Sequence, residues 1–149
     1  YPEWRCMFVG AGDQDVLSNL DRILKPLGSR AEVHGLKPYD EILDLFARSS
    51  IIGVPVFCDE AFGRTAAEAL AAGAALIATN KGGLDDILQR AGICVEPTVE
   101  SMTDALELLV GEMEELIKEQ EKSWTNFDYS VEQSALQLEG VRERLFESL

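Results

Sequence analysis

The sequence has little of what marks membrane, nucleic-acid or metal-binding proteins. None of its apolar runs approaches the ~20 residues that a helix needs to span a bilayer, and its first residues do not have the pattern of a signal peptide. With a net charge of −14, the chain offers no basic surface for nucleic acid or anionic lipid. The single histidine, His34, has no companion ligands for a metal site. We therefore expect a soluble protein that has no transmembrane segment and binds neither nucleic acid nor a metal.

Cysteine is also scarce. Cys6, Cys58 and Cys94 are far apart, and each lies in an apolar run. This arrangement favours free, buried thiols in a reducing cytosol over a disulfide or a metal site. The sequence also contains no internal repeat and no low-complexity tract.

The residues that are present predict an α/β protein. The 149 residues include 46% apolar and 27% charged side chains, as in an ordinary globular domain. Short apolar runs at 5–10, 31–36, 51–57, 75–79 and 93–97 alternate with helical patterns. This alternation predicts a Rossmann-like parallel sheet with helices on both faces. Ligands of such sheets bind beyond the carboxyl ends of the strands, which here are the loops at 10–13, 35–39, 58–64 and 80–84.

The last third of the chain reads as two helices. Ser101 is a suitable N-cap for a long amphipathic helix whose apolar stripe continues to Ile117. A polar break, SWTNFDYS (123–130), precedes a final helix. Its apolar face is predicted to carry Val131, Ala135, Leu138, Val141, Leu145 and Leu149. We expect residues 1–125 to form the ligand-binding domain and residues 126–149 to form a C-terminal helix.

The stretch CDEAFGRTAAEALAAG (58–73) carries the main functional signal. It predicts a helix from about residue 61 to 72, with Glu60 just before it and Glu68 two turns inside. The free N–H groups at the helix start make a phosphate site, and a carboxylate on either side can accept hydrogen bonds from sugar hydroxyls. A ribose, a diphosphate and a second sugar would fit this order. The alanines would let the helix pack closely against its sheet: Ala66, Ala67, Ala69, Ala71 and Ala72.

Plainer interpretations remain open from the residues alone. Glu60 and Glu68 are also compatible with an exposed helix surface, with alanines that merely favour helix. GAG (10–12) is either a tight turn or half of a dinucleotide fingerprint, and a Rossmann dehydrogenase would then use Glu32 for the ribose. NKGGLDDI (80–87) is either a turn that approaches phosphate or a plain loop.

Several motifs occur together in a known order. E-A-F-G (60–63) is followed by E-A-L-A-A-G (68–73) and then by ALIATNKGGLDDIL (75–88). FVGAG (8–12) and VHGLKPYDEILDLFARSSI (33–51) precede them. From about residue 4 to 110, this series resembles the family 4 glycosyltransferases, which are retaining enzymes of the GT-B fold. The resemblance implies that the chain is the donor-binding, C-terminal half of such an enzyme.

The resemblance also implies roles for individual residues. Glu60 would bind hydroxyls of the transferred sugar, as the catalytic-site carboxylate, and Glu68 would hold the ribose of the nucleotide sugar. The sugar and diphosphate would be lined by Phe62, Gly63, Arg64 and Thr65. The base would lie near Gly35 and Leu36, and close packing near the site would involve Gly82 and Gly83. The resemblance further implies a reaction that would transfer a hexosyl-type sugar from a nucleoside diphosphate sugar to a hydroxyl with retention and would need no bound metal or other cofactor.

The chain departs from the family pattern in three places. Ala61 replaces a glycine, which requires that residue 61 avoid positive φ. Asp85 or Asp86 stands where the family has a glutamate. The first strand and helix of the family, with a basic Arg and Lys pair, have no counterpart, and the family places that strand in the centre of the sheet. The resemblance therefore implies a missing N-terminal acceptor domain, or a second chain that supplies it.

The expected context follows from the same resemblance. It implies polysaccharide biosynthesis in the cytoplasm, either free or peripheral to the membrane through the missing domain. The alternative is a non-catalytic module that binds a nucleotide or a partner chain and is inactive in isolation.

Overall fold

The computed structural model describes residues 1–147, and their side chains except those of 131, 137, 141–143 and 145–147. The strands are β1 (Cys6–Val9), β2 (Ala31–His34), β3 (Ile51–Val54), β4 (Ala75–Thr79) and β5 (Ile93–Val95). The α-helices are α1 (Gln14–Leu24), α2 (Tyr39–Ala47), α3 (Arg64–Ala71), α4 (Leu84–Leu88), α5 (Val99–Gly111), α6 (Met113–Asn126) and α7 (Val131–Glu147). A 3₁₀ helix covers Lys25–Arg30.

The predicted α/β class is confirmed, but the strands form two sheets instead of one. The chain divides into two compact units, Tyr1–Arg48 and the part from Ser49 onward. In the first unit, β1 and β2 pair in parallel, with Cys6 opposite Ala31. In the second, the parallel order is β3-β4-β5. No described strand pairs with both β1 and β3, which explains why the expected single sheet is not formed.

The core of the second unit is built around β4. All five residues of β4 are buried, as expected for a central strand of a parallel sheet. The first three alanines of α3 (Ala66, Ala67 and Ala69) are also buried, so the expected close packing of this helix is present. Ala71 is exposed and Ala72 is only half-buried, and this part of the expectation was wrong. The buried alanines lie on one face because α3 is covered on one side only.

The strand β3 ends earlier than its apolar run. It stops at Val54, because Pro55 has no N–H to continue the ladder. The following residue is held instead by a side chain of β4. The buried Thr79 hydroxyl accepts from the N–H of Val56 at 2.9 Å and donates to the carbonyl of Val56 at 2.6 Å. These two bonds fix where the loop after β3 leaves the sheet.

The long C-terminal helix predicted from Ser101 onward is two helices. Thr98 is the N-cap of α5, and its Oγ1 accepts from the N–H of Ser101 at 3.2 Å. The predicted stripe is then interrupted at Glu112, whose backbone is extended at φ −117° and ψ 94°. Gly111 precedes the break, and glycine has one of the lowest helix propensities.

The final helix, α7, has a different environment from the one predicted. The Ser130 hydroxyl accepts from the N–H of Gln133 at 3.1 Å near its start. On its predicted apolar face, Ala135 is exposed and Leu138 is 71% exposed. The side chains of Val131, Val141 and Leu145, and all of Leu149, lie outside the described residues. None of the described helices is long and apolar enough to cross a membrane.

Candidate functional site

The loop after β3 meets the turn after β4 through the backbone. The N–H of Glu60 donates to the carbonyl of Lys81 at 3.4 Å, and the carbonyl of Glu60 accepts from Gly83 at 2.6 Å. Glu60 and Gly82 thereby form an isolated parallel bridge. Glu60 is therefore positioned by the Lys81–Gly83 turn and does not belong to the helix that carries Glu68.

This contact is close enough to require glycine in the turn. A Cβ on Gly82 would lie 2.4 Å from the carbonyl oxygen of Glu60, and one on Gly83 would lie 2.4 Å from that of Ala61. Real Cβ atoms do not approach backbone atoms so closely, so a larger residue would separate the two loops. The close packing expected of Gly82 and Gly83 is present, and their role toward a ligand stays a prediction.

The helix α3 begins three residues later than predicted. Gly63 is its N-cap, with a left-handed backbone at φ 85° and ψ 50°, and such a conformation ends any helical continuation toward residue 61. A Cβ on Gly63 would lie 2.4 Å from Cδ2 of the buried Leu84. The start of α3 therefore packs directly on α4. No described residue accepts a hydrogen bond from the N–H groups of Phe62, Gly63 or Thr65.

The N-terminus of α3 is open and carries a favourable charge for an anion. Phe62 is 47% exposed, the Arg64 side chain is 82% exposed and Thr65 is exposed. The first turn of α3 contains no acid, whereas each of the other six described α-helices has at least one there. The helix dipole is equivalent to roughly +0.5 charge at this end. In a strongly acidic chain, the first turn of this helix carries no acidic side chain of its own.

Glu68 lies one turn inside α3 and has a partner that the sequence analysis did not predict. Arg64 Nε is 3.3 Å from Glu68 Oε1, in an i,i+4 ion pair. The Glu68 side chain is only 15% exposed, so its carboxylate is confined. Because Arg64 is exposed, the pair stabilises the fold by at most about 1 kcal/mol. Its main consequence is to orient a carboxylate beside the helix terminus.

An aromatic and cationic cluster packs against the same loop. The rings of Phe62 and Tyr129 meet edge to face, with centroids 5.5 Å apart at 82°. The Arg90 guanidinium lies 5.0 Å from the centroid of Tyr129 and is paired with Asp128. Burial raises the pKa of the Tyr129 hydroxyl. The sequence analysis missed this contact, and the only available signal was the concentration of aromatics in the segment 123–130.

Two predicted site residues lie in the other compact unit. Gly35 and Leu36 follow β2 directly, both are exposed, and Leu36 is 81% exposed. The remaining eight lie together around the start of α3 or on its first turns: Glu60, Phe62, Gly63, Arg64, Thr65, Glu68, Gly82 and Gly83. The roles of all ten stay predictions.

The dinucleotide interpretation of GAG (10–12) loses support from the start of α1. The Asp13 side chain caps that helix and accepts from the N–H of Val16 at 2.9 Å. A carboxylate at this position competes with any phosphate for the helix donors. Glu32, the expected ribose ligand, is 3.1 Å from Nε2 of His34. These contacts favour the plain turn.

Smaller expectations have mixed outcomes. Ala61 has no positive φ, since only glycines have one among the described residues, and the departure from the family pattern is therefore tolerated. Asp85 and Asp86 lie exposed in the first turn of α4. The cysteines are free, but Cys58 and Cys94 are exposed instead of buried. Cys58 follows the end of β3 and Cys94 lies on the edge strand β5, where one side of the strand is uncovered.

Comparisons with known proteins agree on the type of domain. The family described as "Glycosyl transferases group 1" matches residues 1–126. A search of curated proteins finds no match. Among solved structures, a glycosyltransferase from Rickettsia africae ESF-5 is 22% identical with a TM-score of 0.74, over 99% of this chain and 41% of that one.

Two further structures have a bound nucleotide. HepE from Anabaena, in complex with UDP and glucose, is 18% identical with a TM-score of 0.70, over 97% of this chain and 41% of that one. The catalytic domain of starch synthase IV from Arabidopsis thaliana, bound to ADP and acarbose, is 23% identical with a TM-score of 0.66, over 93% and 32%. At these identities the likeness establishes the fold, that of the C-terminal Rossmann-like domain of GT-B enzymes. The chain spans about two-fifths of the first of these structures.

Proposed function

Because the chain belongs to the glycosyl transferases of group 1, we propose that it is the donor-binding part of a retaining family 4 enzyme. The complete enzyme transfers a hexosyl-type sugar from a nucleoside diphosphate sugar to a hydroxyl acceptor. The ligands named for two similar folds, UDP with glucose and ADP with acarbose, support a nucleotide sugar as the donor. The reaction requires no metal or other cofactor, and it contributes to polysaccharide biosynthesis in the cytoplasm.

The start of α3 is the observation that carries this proposal. No described residue accepts a hydrogen bond from the N–H groups of Phe62, Gly63 and Thr65, and the first turn of the helix contains no acid. Phe62, Arg64 and Thr65 are exposed, whereas Gly63 is buried. Backbone N–H groups at a helix start are a common phosphate site because they donate hydrogen bonds along the positive end of the dipole. In this protein, the glycine contacts to Leu84 and to the Lys81–Gly83 turn fix those groups in place.

The donor is bound in three parts. The diphosphate lies on the N–H groups of residues 62–65, with the exposed Arg64 beside it. Glu68 accepts from the ribose hydroxyls, and Glu60 accepts from hydroxyls of the transferred sugar. The separate support of Glu60 by the Lys81–Gly83 turn agrees with two carboxylates that serve different ends of one ligand.

The chemical contribution of this part is mainly electrostatic. Negative charge develops on the diphosphate as it leaves the sugar, and fixed N–H donors stabilise that charge without having to reorganise. Glu60 orients the sugar and does not act as a general base. Holding the acceptor hydroxyl next to the sugar provides the rest of the rate enhancement.

Another segment or chain completes the enzyme. It supplies the acceptor site and the basic pair, and the 149 residues alone are inactive. This is supported by the similar structures, because the chain covers only about two-fifths of their length.

A second candidate function, a non-catalytic partner-binding module, is favoured by β1. Its consecutive residues Met7, Phe8 and Val9 are all exposed, although strands of parallel sheets are normally covered on both faces.

Calorimetric titration of the chain with UDP, ADP and GDP tests the donor site. We expect one of them to bind, and Glu68→Ala to weaken it about 10- to 100-fold, since a charged hydrogen-bond acceptor contributes roughly 1.5–3 kcal/mol. Glu107→Ala on α5 is a matched control, because it removes the same charge from an exposed helix position. Equal weakening by both variants would contradict a specific contact between Glu68 and the ligand. A wild-type chain that binds none of the three would reject the proposal.

The role of Glu60 is tested in the complete enzyme. Glu60→Ala is expected to lower kcat more than it raises KM for the nucleotide sugar, because it removes a contact to the reacting sugar and leaves the nucleotide contacts in place. Unchanged kcat in this variant would contradict the assignment of Glu60.

A further inference from the structure

Phe62 occupies a sensitive position in the loop before α3. It lies between Glu60 and the left-handed Gly63, and both of these neighbours are held by backbone packing. Phe62 itself is 47% exposed, and its described aromatic partner is the ring of Tyr129. Edge-to-face pairs of this kind contribute about 0.5–1.5 kcal/mol beyond their buried area. Tyr129 is thus a tertiary contact that restrains the Phe62 side chain from outside the two loops.

Tyr129 is itself held in place by the segment Asn126–Ser130, which we call the strap. The Asn126 side chain donates to the carbonyl of Arg90 at 2.8 Å, and Arg90 pairs with Asp128. The Arg90 guanidinium also covers the ring of Tyr129 at 5.0 Å. The strap therefore fastens the end of α6 to the residues just after α4, and it carries Tyr129 to Phe62.

The ring of Tyr129 makes this contact, and the hydroxyl does not. Among the described residues the buried hydroxyl forms no hydrogen bond of regular geometry, although the nearby Arg90 acts against the burial that raises its pKa. The ring contacts Phe62, Phe127 and Arg90. Phenylalanine at this position would keep the ring contacts, and alanine would lose all of them. The two variants therefore distinguish a packing role of the ring from a direct polar role of the hydroxyl.

We propose that Tyr129 is a positioning residue for the donor diphosphate, which it serves by holding Phe62 and the adjacent N–H groups in the binding conformation. This inference rests on the proposed function of the α3 start. A binding site requires its donors within about 0.5 Å of the productive geometry. Glu60 and Gly63 fix the two ends of the short loop, and Tyr129 fixes its middle.

A double-mutant cycle, measured by calorimetry with UDP and ADP as the probes, tests this proposal. We expect Tyr129→Ala to weaken binding about 2- to 10-fold, and Tyr129→Phe to bind like the wild type. In a Phe62→Ala background, Tyr129→Ala should cause no further loss, because its target is already absent. Trp124→Ala, which removes an exposed aromatic from α6, is the control and should have no effect.

Three results would overturn the proposal. If Tyr129→Ala binds nucleotide with wild-type affinity, Tyr129 does not act through Phe62. The same conclusion follows if Tyr129→Ala weakens binding equally in the wild-type and the Phe62→Ala backgrounds. A loss as large in Tyr129→Phe as in Tyr129→Ala would show that the hydroxyl contacts the ligand directly. If Tyr129→Ala is unfolded at the titration temperature, Asn126→Ala takes its place. It loosens the strap and keeps every ring, so the same coupling to Phe62 is expected.

A ligand-free measurement separates this inference from the proposed function. In ¹⁵N NMR spectra, Tyr129→Ala should shift or broaden the amide signals of residues 61–65, and Trp124→Ala should not. Unchanged signals would contradict the positioning role even if nucleotides bind. Failure of the wild type to bind any nucleotide, with the expected spectral change present, would reject the proposed function and leave the Tyr129–Phe62 coupling established.

Discussion

Gly63→Ala is the change that most directly tests how the start of α3 is built. The added Cβ meets two separate obstacles. The backbone at φ +85° is unfavourable for any residue with a Cβ, and the new atom would lie 2.4 Å from Leu84 Cδ2. Leu84 is fully buried, so its side chain cannot move out into solvent. The next neighbour, Cδ1 of Ile87, lies at 3.3 Å and closes the same space.

The two obstacles add to a large loss of stability. A left-handed backbone costs a residue with a Cβ about 1–2 kcal/mol, and overpacking of a filled core costs about 1–3 kcal/mol. We therefore expect the free energy of unfolding to fall by about 2–5 kcal/mol, which corresponds to a Tm lower by roughly 6–15 °C for a chain of this size. This is a substantial part of the ~5–15 kcal/mol that stabilises a typical domain.

Urea unfolding followed by Trp124 fluorescence measures this loss, with Trp4 replaced by Phe so that only the second unit reports. Gly53→Ala is the matched control, since Gly53 lies in the same unit with a negative or extended φ and has no atom within 4 Å of its Cβ position. It should change stability by less than about 1 kcal/mol. Combining Gly63→Ala with Leu84→Ala should cost less than the sum of the single changes, because the clashing methyl is gone. A loss below about 1 kcal/mol for Gly63→Ala, or strict additivity in the double variant, would refute the packing described here.

Two further predictions concern the surroundings of the site. Thr79→Val should lower the free energy of unfolding by about 2–3 kcal/mol in urea titrations, because both bonds to the backbone of Val56 are lost; Thr79→Ser keeps them, and an equal loss in both variants would show that the hydroxyl is not responsible. Burial raises the pKa of Tyr129, so its contribution to stability is complete below the ordinary tyrosine pKa of about 10 and is lost as pH rises through the folded-state value. The free energy of unfolding should therefore fall more steeply above pH ~10 in the wild type than in Tyr129→Phe, and parallel curves would contradict the burial of this hydroxyl.

The strands and their order along the chain could be predicted because their signal is local. The run at 75–79 became β4 with both boundaries as expected, since its first four residues are apolar and it lies between Gly73 and Asn80. The run at 51–57 was shortened to Ile51–Val54 by Pro55, an effect that the sequence also indicated. The rule that ligands bind beyond strand ends then selected the loops that hold Glu60 and Gly82.

The exact start of α3 could not be predicted in the same way. The sequence permits a helix start at Ala61, although Gly63 itself has a low helix propensity. A Cβ at the left-handed Gly63 would clash with Leu84, which is distant along the chain, so the local sequence does not reveal why glycine is needed here. At the start of α5, Thr98 and Ser101 are both good caps, and the sequence alone does not distinguish them.

Long-range contacts account for what was missed at the candidate site. Glu60 is held by the turn at Lys81–Gly83 and not by its neighbours in sequence. Tyr129 reaches Phe62 only because the strap is fastened to Arg90. Neither contact has a periodic pattern that would reveal it, since periodicity reports which face of a helix or strand is buried and not which residue covers it.

The net charge of −14 describes the whole chain and does not describe the surroundings of the α3 start. It excludes a broad basic surface, and it therefore argues against nucleic acid. A diphosphate, however, responds mainly to charges within the Debye length of about 8 Å at physiological ionic strength. The first turn of α3 contains no acid, and its Arg64 is paired with Glu68, so the backbone N–H groups at the helix start are the local donors. A compact anion can therefore bind where an extended polyanion cannot, because its affinity depends on the local donors and not on the sum over the surface.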